Sequence, residues 1–210
     1  MIDKLISILT FSSGLGCGLI GGVFFAFSAF VIKALARLSP AHGIVAMQSI
    51  NIVVINPLFF AVFFGTAAGC VFLAISSLAR WQRPGAVYLL IGSLLYLVGT
   101  ILVTVLFNVP RNNALAAVDP TSRDGARLWT DYVVSWTAWN HVRTIAALAA
   151  AALLTIALCR QVTLARYRAR ERLVYKAFTV SKKGCITEES RTSGFKRLVS
   201  IYQRITGHCD

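Results

Sequence analysis

The chain has 210 residues, 57% of them hydrophobic and 14% charged, with a formal net charge of +13. Charged residues make up roughly a quarter of an ordinary soluble domain, so this composition excludes one and points to lipid. The positive charge is concentrated beside apolar stretches, where it orients spans and meets anionic head groups, and nucleic acid is not an expected partner.

A helix needs about twenty residues to cross a hydrocarbon core of about 30 Å, and the windows 5–32, 57–79, 85–107 and 138–159, charged only at Arg143, each supply them. The expected fold is all-α: an integral membrane four-helix bundle over residues 1–159, followed by a basic tail over 160–210. Backbone groups in lipid must be satisfied within the element, which requires helices where no period-2 barrel pattern is seen. The first window exceeds a signal-peptide core and is expected to stay as a helix.

The first span carries Gly14, Gly18, Gly22 and Ala26 four residues apart, the second Ala61, Gly65 and Gly69, and the third Gly92 and Gly99. Such stripes let helices approach closely, within one chain or between copies, so a homo-oligomer is among the expected partners. Between these spans, Ile44 to Ile55 reads as a half-buried helix with Gln48 and Asn51 one turn apart. Asn56 and Pro57 read as an N-cap and a first-turn proline. Arg80 to Pro84 is a tight hairpin.

After the third span, Asn108-Val-Pro-Arg-Asn112-Asn113 is turn chemistry, and Asp119-Pro120 with Asp124-Gly125 marks a second break. From Ala126 a helical pattern runs to Cys159. On it Trp129, Trp136 and Arg143 recur every seven residues with Val133 and Asn140 between them, all on one face, flanked by Tyr132 and Trp139. His141 points about 100° away from Asn140.

Through Cys159 there are nine Lys or Arg against four Asp or Glu, and beyond it twelve against four, leaving the tail with +8. Lys4, Arg80, Arg83 and the cluster Arg166, Arg168, Arg170, Arg172 outweigh the charges of the other two loops. Both termini are therefore expected in the cytoplasm, with the chain multi-pass in the cell's inner (plasma) membrane. Tail segments around Leu164, Tyr167, Val174 and Phe178, and around Phe195, Leu198, Val199 and Tyr202, fit helices lying on anionic lipid. A mobile solvated tail, jointed at Gly184 to Gly194, is the alternative.

The five cysteines, Cys17, Cys70, Cys159, Cys185 and Cys209, form no C-x-x-C pair and imply no disulfide framework. The spans hold no Asp or Glu, paired histidines or H-E-x-x-H, so no metal or other cofactor is expected. The richest feature is Trp136-Thr-Ala-Trp139-Asn140-His141-Val-Arg143-Thr144 at the mouth of the fourth span. Two readings stand: an interfacial aromatic belt with a snorkelling arginine, or polar groups facing a cavity.

Gln48-x-x-Asn51, Asn108-x-Pro110-x-Asn112-Asn113 and Trp139-Asn140-His141-Val142-Arg143-Thr144, set among four short spans, resemble the anthrone oxygenase-like family over about residues 5 to 159. That resemblance implies a cofactor-free oxygenase converting a polycyclic phenolic anthrone to its quinone with molecular oxygen. The corresponding candidates are His141 as base and Arg143 with Asn140 as anion stabilisers. Gln48, Asn51, Asn108, Asn112 and Asn113 would orient substrate, bounded by Trp136 and Trp139. The competing expectation is a non-catalytic membrane protein that binds a hydrophobic aromatic small molecule or a protein partner in an outward-facing polar pocket.

Overall fold

The computed structural model describes residues 2–182, with side chains through Leu173 and at Tyr175. Residues 1–161 form one unit and residues 162–210 another. Among the described residues all regular structure is helical, and four helices are long and apolar enough to cross a membrane: Ile2–Leu35, Pro57–Ala79, Ala86–Ala117 and Arg123–Leu173. The fold is an all-α membrane helical bundle.

The first helix, α1 (Ile2–Ala26), passes through a π-helical stretch at Phe27–Val31 into α2 (Ile32–Leu35). Ser39 and Pro40 then start α3 (Pro40–Val53), which buries Ile44 and Met47. The start of α4 (Pro57–Ala79) is fixed by Asn56, whose Oδ1 accepts the Phe59 N–H at 2.9 Å, with Pro57 in the first turn, where its missing N–H costs nothing. At the other end, the turn from Arg80 closes through Gly85, whose φ of +89° favours a residue without Cβ. Arg80 also pairs with Asp3, tying this hairpin to the N-terminus.

The third span begins as α5 (Ala86–Leu94), is wound as π-helix over Leu95–Leu102 and Thr104–Asn108, and continues as α6 (Val109–Ala117). The turn expected at Asn108 to Asn113 is therefore a helix. Proline in a regular α-helix clashes with the carbonyl four residues earlier and leaves it without a donor. Here the widened winding directly precedes Pro110, and beside it the Arg111 side chain donates from Nη1 to the carbonyl of Phe107, the residue after the one that Pro110 would face, at 2.6 Å. The break at Asp119-Pro120 is present, but Asp124 and Gly125 lie in the first turn of α7 (Arg123–Lys182).

That last helix continues well past Cys159 to Lys182. The segment around Phe195, Leu198, Val199 and Tyr202, the Gly184–Gly194 joint, Cys185, Cys209 and the side chains of Val174 and Phe178 lie outside the described residues.

Two hydrophobic clusters hold the bundle. The deeper one packs Cys17, Ile20, Phe24, Phe63, Cys70, Leu73, Tyr96, Ala147, Ala150 and Leu154. The other gathers Ile32, Ile44, Met47, Leu115, Trp129, Tyr132 and Trp136 under α3 and α6, forming a cap on one end. Leu15, Leu58, Phe64, Ile75 and Val98 stay exposed on the perimeter, a surface that water tolerates poorly and hydrocarbon does not penalise.

The glycines divide in a way their spacing does not reveal. A Cβ on Gly99 would lie 2.5 Å from that of Ala146, one on Gly21 2.9 Å from Leu148, and one on Gly16 would run into Thr66. At Gly18, Gly22 and Gly65 it would meet nothing within 4 Å. The four-residue stripes of the first and second spans are thus only partly packing surfaces, because the stripe turns away from its neighbour where the helices cross.

Candidate functional site

One face of α7 builds the site. Trp129, Tyr132, Trp136, Asn140 and Arg143 are all buried, as steps of three, four and seven residues return to one side of a helix. Of these, Trp136, Asn140 and Arg143 meet the π-helical stretches of the first and third spans.

Arg143 is 5% exposed. Its Nη2 donates to Asn140 Oδ1 at 2.5 Å and its Nη1 to Thr104 Oγ1 at 3.3 Å. The guanidinium carbon stands 4.1 Å from the Phe24 ring centroid and 5.2 Å from that of Trp136. Nε has no partner, and the four predicted spans contain no carboxylate. The cation is held by neutral oxygens and ring faces, which retain it in place without neutralising its charge. A buried charge left in that state favours any anion or strong acceptor that can reach it.

Asn140 is fully buried and fixes the geometry from below. Its Nδ2 donates to the Phe24 carbonyl at 2.7 Å and to Ser28 Oγ at 2.6 Å. Asn108, also fully buried, donates from Nδ2 to the Trp136 carbonyl at 3.3 Å, and its Oδ1 has no partner. Thr100, Thr104, Asn108 and Ser28 all belong to π-helical stretches. Such stretches are rare and frequently lie at functional sites, since the extra residue per turn re-aims side chains.

A second polar layer sits in the cap. Asn112 Oδ1 accepts from the Tyr132 hydroxyl at 2.9 Å and from Trp136 Nε1 at 2.8 Å. Asn51 is also within reach of the Tyr132 hydroxyl, and Gln48 donates from Nε2 to the Leu115 carbonyl at 2.8 Å. Trp136 joins the layers, with its indole N–H in the cap and its ring over Arg143.

The seam between the third span and α7 keeps one antiparallel register: Arg111 Nε bonds Ser135 Oγ at 3.0 Å, Phe107 stacks on Trp139 with centroids 3.5 Å apart, and Thr104 meets Arg143. One turn deeper, Gly99 lies against Ala146. The Phe107–Trp139 pair thus covers the seam beside the Arg143 guanidinium.

Of the residues singled out from sequence, the structure brings Asn140, Arg143, Asn108 and Trp136 together and sets Asn112, Asn51 and Gln48 in the cap above them. It leaves His141 and Asn113 exposed, with His141 on a different side of α7 from the buried pair. Phe24, Ser28 and Thr104 are contributors that sequence reading passed over. The available signal was lone hydroxyls inside otherwise apolar runs: Ser28, and Thr100 with Thr104 four residues apart.

The family model described as anthrone oxygenase matches residues 58–153, a segment that begins in α4 and ends in α7 and that includes Thr104, Asn108, Trp136, Asn140 and Arg143. It leaves out Phe24, Ser28, Gln48 and Asn51. No curated protein and no solved structure matches the chain.

Proposed function

Residues 58–153 match the family model described as anthrone oxygenase, and on that support we propose that the bundle binds a hydrophobic aromatic small molecule through an oxygen atom held by Arg143. The observation that carries this reading is a 5% exposed guanidinium with an open Nε and no carboxylate in the predicted spans. An aromatic ligand whose enolate or phenolate oxygen accepts from Nε–H would supply the missing charge. The rings of Phe24 and Trp136 would supply apolar walls.

The family match favours a second reading of the same pocket, a cofactor-independent oxygenase acting on an anthrone-like polycyclic phenol. Arg143 would favour the enolate over the neutral ketone, as fixed donors at developing negative charge do, with the ring proton passing to solvent and a solvent proton later completing the hydroperoxide. The electron-rich enolate carbon then passes an electron to molecular oxygen and the radical pair closes to a hydroperoxide. Loss of water leaves the carbonyl, so that a ring CH2 and O2 become C=O and H2O. Asn140 holds Arg143 in position, while His141, exposed and away from the pair, is given no step.

The charge balance of the loops puts both termini in the cytoplasm and the cap outward, so the pocket lies near the outer ends of the spans in a cell's inner membrane. The arginine-rich part of α7 would face anionic lipid on the inner leaflet.

Oxygen uptake by the purified protein in detergent, with a panel of anthrones, tests both readings. Quinone formation above the spontaneous rate, lost in Arg143→Ala and kept in His141→Ala at matched helicity, supports the oxygenase. Quenching of tryptophan fluorescence by the panel without acceleration leaves binding alone, and the absence of both responses overturns the pocket altogether.

A further inference from the structure

Three buried side-chain polar atoms are without a partner among the described residues, Ser93 Oγ, Asn108 Oδ1 and Arg143 Nε, and the last two are complementary. Arg143 Nε is a donor without an acceptor, and Asn108 Oδ1 is an acceptor without a donor. They bracket Trp136: the guanidinium carbon lies 5.2 Å from its ring and Asn108 Nδ2 lies 3.3 Å from its carbonyl oxygen. Thr104, which accepts from Arg143 Nη1, precedes Asn108 by four residues in the same π-helical stretch, so the Arg143 contact and Asn108 are about one turn apart along it.

The surrounding donors are committed elsewhere. The Thr104 hydroxyl gives its proton to the Thr100 carbonyl at 2.7 Å. The Tyr132 hydroxyl and the Trp136 indole both donate to Asn112. Asn140 Nδ2 is shared between Phe24 and Ser28, and Arg111 donates to Ser135 and Phe107. Asn108 Oδ1 is fully buried, in surroundings where an unmade hydrogen bond is expensive. No side chain of the described residues donates to it, which leaves the position to a donor from outside the chain.

We infer that Asn108 is a specificity-determining residue: its Oδ1 accepts a hydroxyl carried on the same aromatic framework as the oxygen that Arg143 holds. This inference rests on the pocket proposed above. A site that presents a buried acceptor to a ligand hydroxyl rejects the analogue lacking it far more strongly than an apolar site distinguishes ligands by size. Asn108 acts on the choice of ligand, and Arg143 on the retention of any ligand.

The test is binding of two probes to the full-length protein in detergent: a hydroxy-substituted aromatic ketone with its hydroxyl beside the carbonyl, and the methyl ether of the same compound. Wild type is expected to prefer the hydroxy compound by at least roughly tenfold. In Asn108→Leu the ratio of the two affinities falls to about one, whereas Asn108→Asp, which keeps an acceptor, retains a preference. A purely structural role for Asn108 would lower both affinities together and leave the ratio unchanged. Equal binding of the two probes by wild type overturns the inference while the pocket stands, with a buried water satisfying Asn108. Binding of neither probe overturns the pocket and the inference together.

Discussion

Arg143 and Asn140 are locked together on one helix, Nη2 to Oδ1 at 2.5 Å, with the amide turned so that its Nδ2 faces the first span. Asn140 therefore passes the position of a charged group on α7 to the backbone of α1. The carbonyl that receives it, Phe24, belongs to the residue whose ring lies under the guanidinium. An arginine merely snorkelling to head groups would be partly exposed and free of such contacts, so the interfacial-belt reading does not describe Arg143.

Replacing Asn140 by Leu removes the acceptor of Arg143 and the donor to Phe24 and Ser28 in one change. Interhelical hydrogen bonds within membranes contribute about 0.6 kcal/mol on average, and a buried polar group left unpaired costs about 1–3 kcal/mol more. Asn140→Leu should lose about 2–3 kcal/mol in reversible unfolding from detergent micelles. Asn140→Gln, able to make the same bonds with a longer arm, should lose less. A loss below about 0.5 kcal/mol for the leucine variant, the range of an ordinary surface change, would show that the network is dispensable.

The glycines give a prediction of opposite signs on similar residues. Gly99→Ala pushes a methyl into Ala146, and Gly16→Ala pushes one into Thr66, whereas Gly18→Ala and Gly65→Ala extend into open space. Overpacking costs about 1–3 kcal/mol, while Gly to Ala in a helix interior gains up to about 1 kcal/mol. The first pair should lower the midpoint of unfolding and the second leave it level or raise it. Destabilisation of the second pair would mean that another copy of the chain packs against that surface.

The arrangement of α7 was legible in the sequence because periodicity along one helix needs no knowledge of its neighbours: Trp129, Trp136, Asn140 and Arg143 fall on one face at any tilt. What lies opposite was legible only in part. Asn108 stood out in its motif, but Ser28 and Thr104 reach the site through π-helical turns, and nothing local in Phe27–Val31 or Thr104–Asn108 marks the extra residue per turn. Pro110 read as a stop for the same reason, since its clash is relieved by winding that single-residue preference does not encode. His141 illustrates the converse: its side of α7 was given by geometry, but only the packing shows that side to be exposed.

Asn112 and Asn113 are adjacent and chemically identical, yet they should respond differently. Asn112 Oδ1 receives two buried donors, Tyr132 and Trp136, and Asn113 is exposed. Asn112→Ala leaves the Trp136 indole unpaired and the Tyr132 hydroxyl with Asn51 alone in reach, for about 1–3 kcal/mol, and frees the indole that covers Arg143. Its tryptophan emission should shift and its ligand affinity fall. Asn113→Ala should stay within about 0.5 kcal/mol of wild type. Equal effects of the two changes would contradict the cap described for Trp136.

The turn that starts α7 should respond to acid. Asp119 Oδ1 accepts the Thr121 N–H at 2.9 Å and the Thr121 hydroxyl at 2.8 Å, and these bonds hold its carboxyl below the ordinary value. A folded value lower than the unfolded one stabilises the turn fully above the unfolded pKa of about 3.9 and withdraws that stability as pH falls through the folded one. The carboxylate is exposed, so the effect stays local to the turn. The protection factor of the Thr121 amide, from hydrogen exchange corrected for intrinsic rate, should be flat from neutral pH down to about 5 and decline in more acidic solution. In Asp119→Asn the amide oxygen still accepts, more weakly, and the profile should be flat throughout. A decline of the same size in that variant would assign the acid response to another group and leave the Asp119 turn without a part in it.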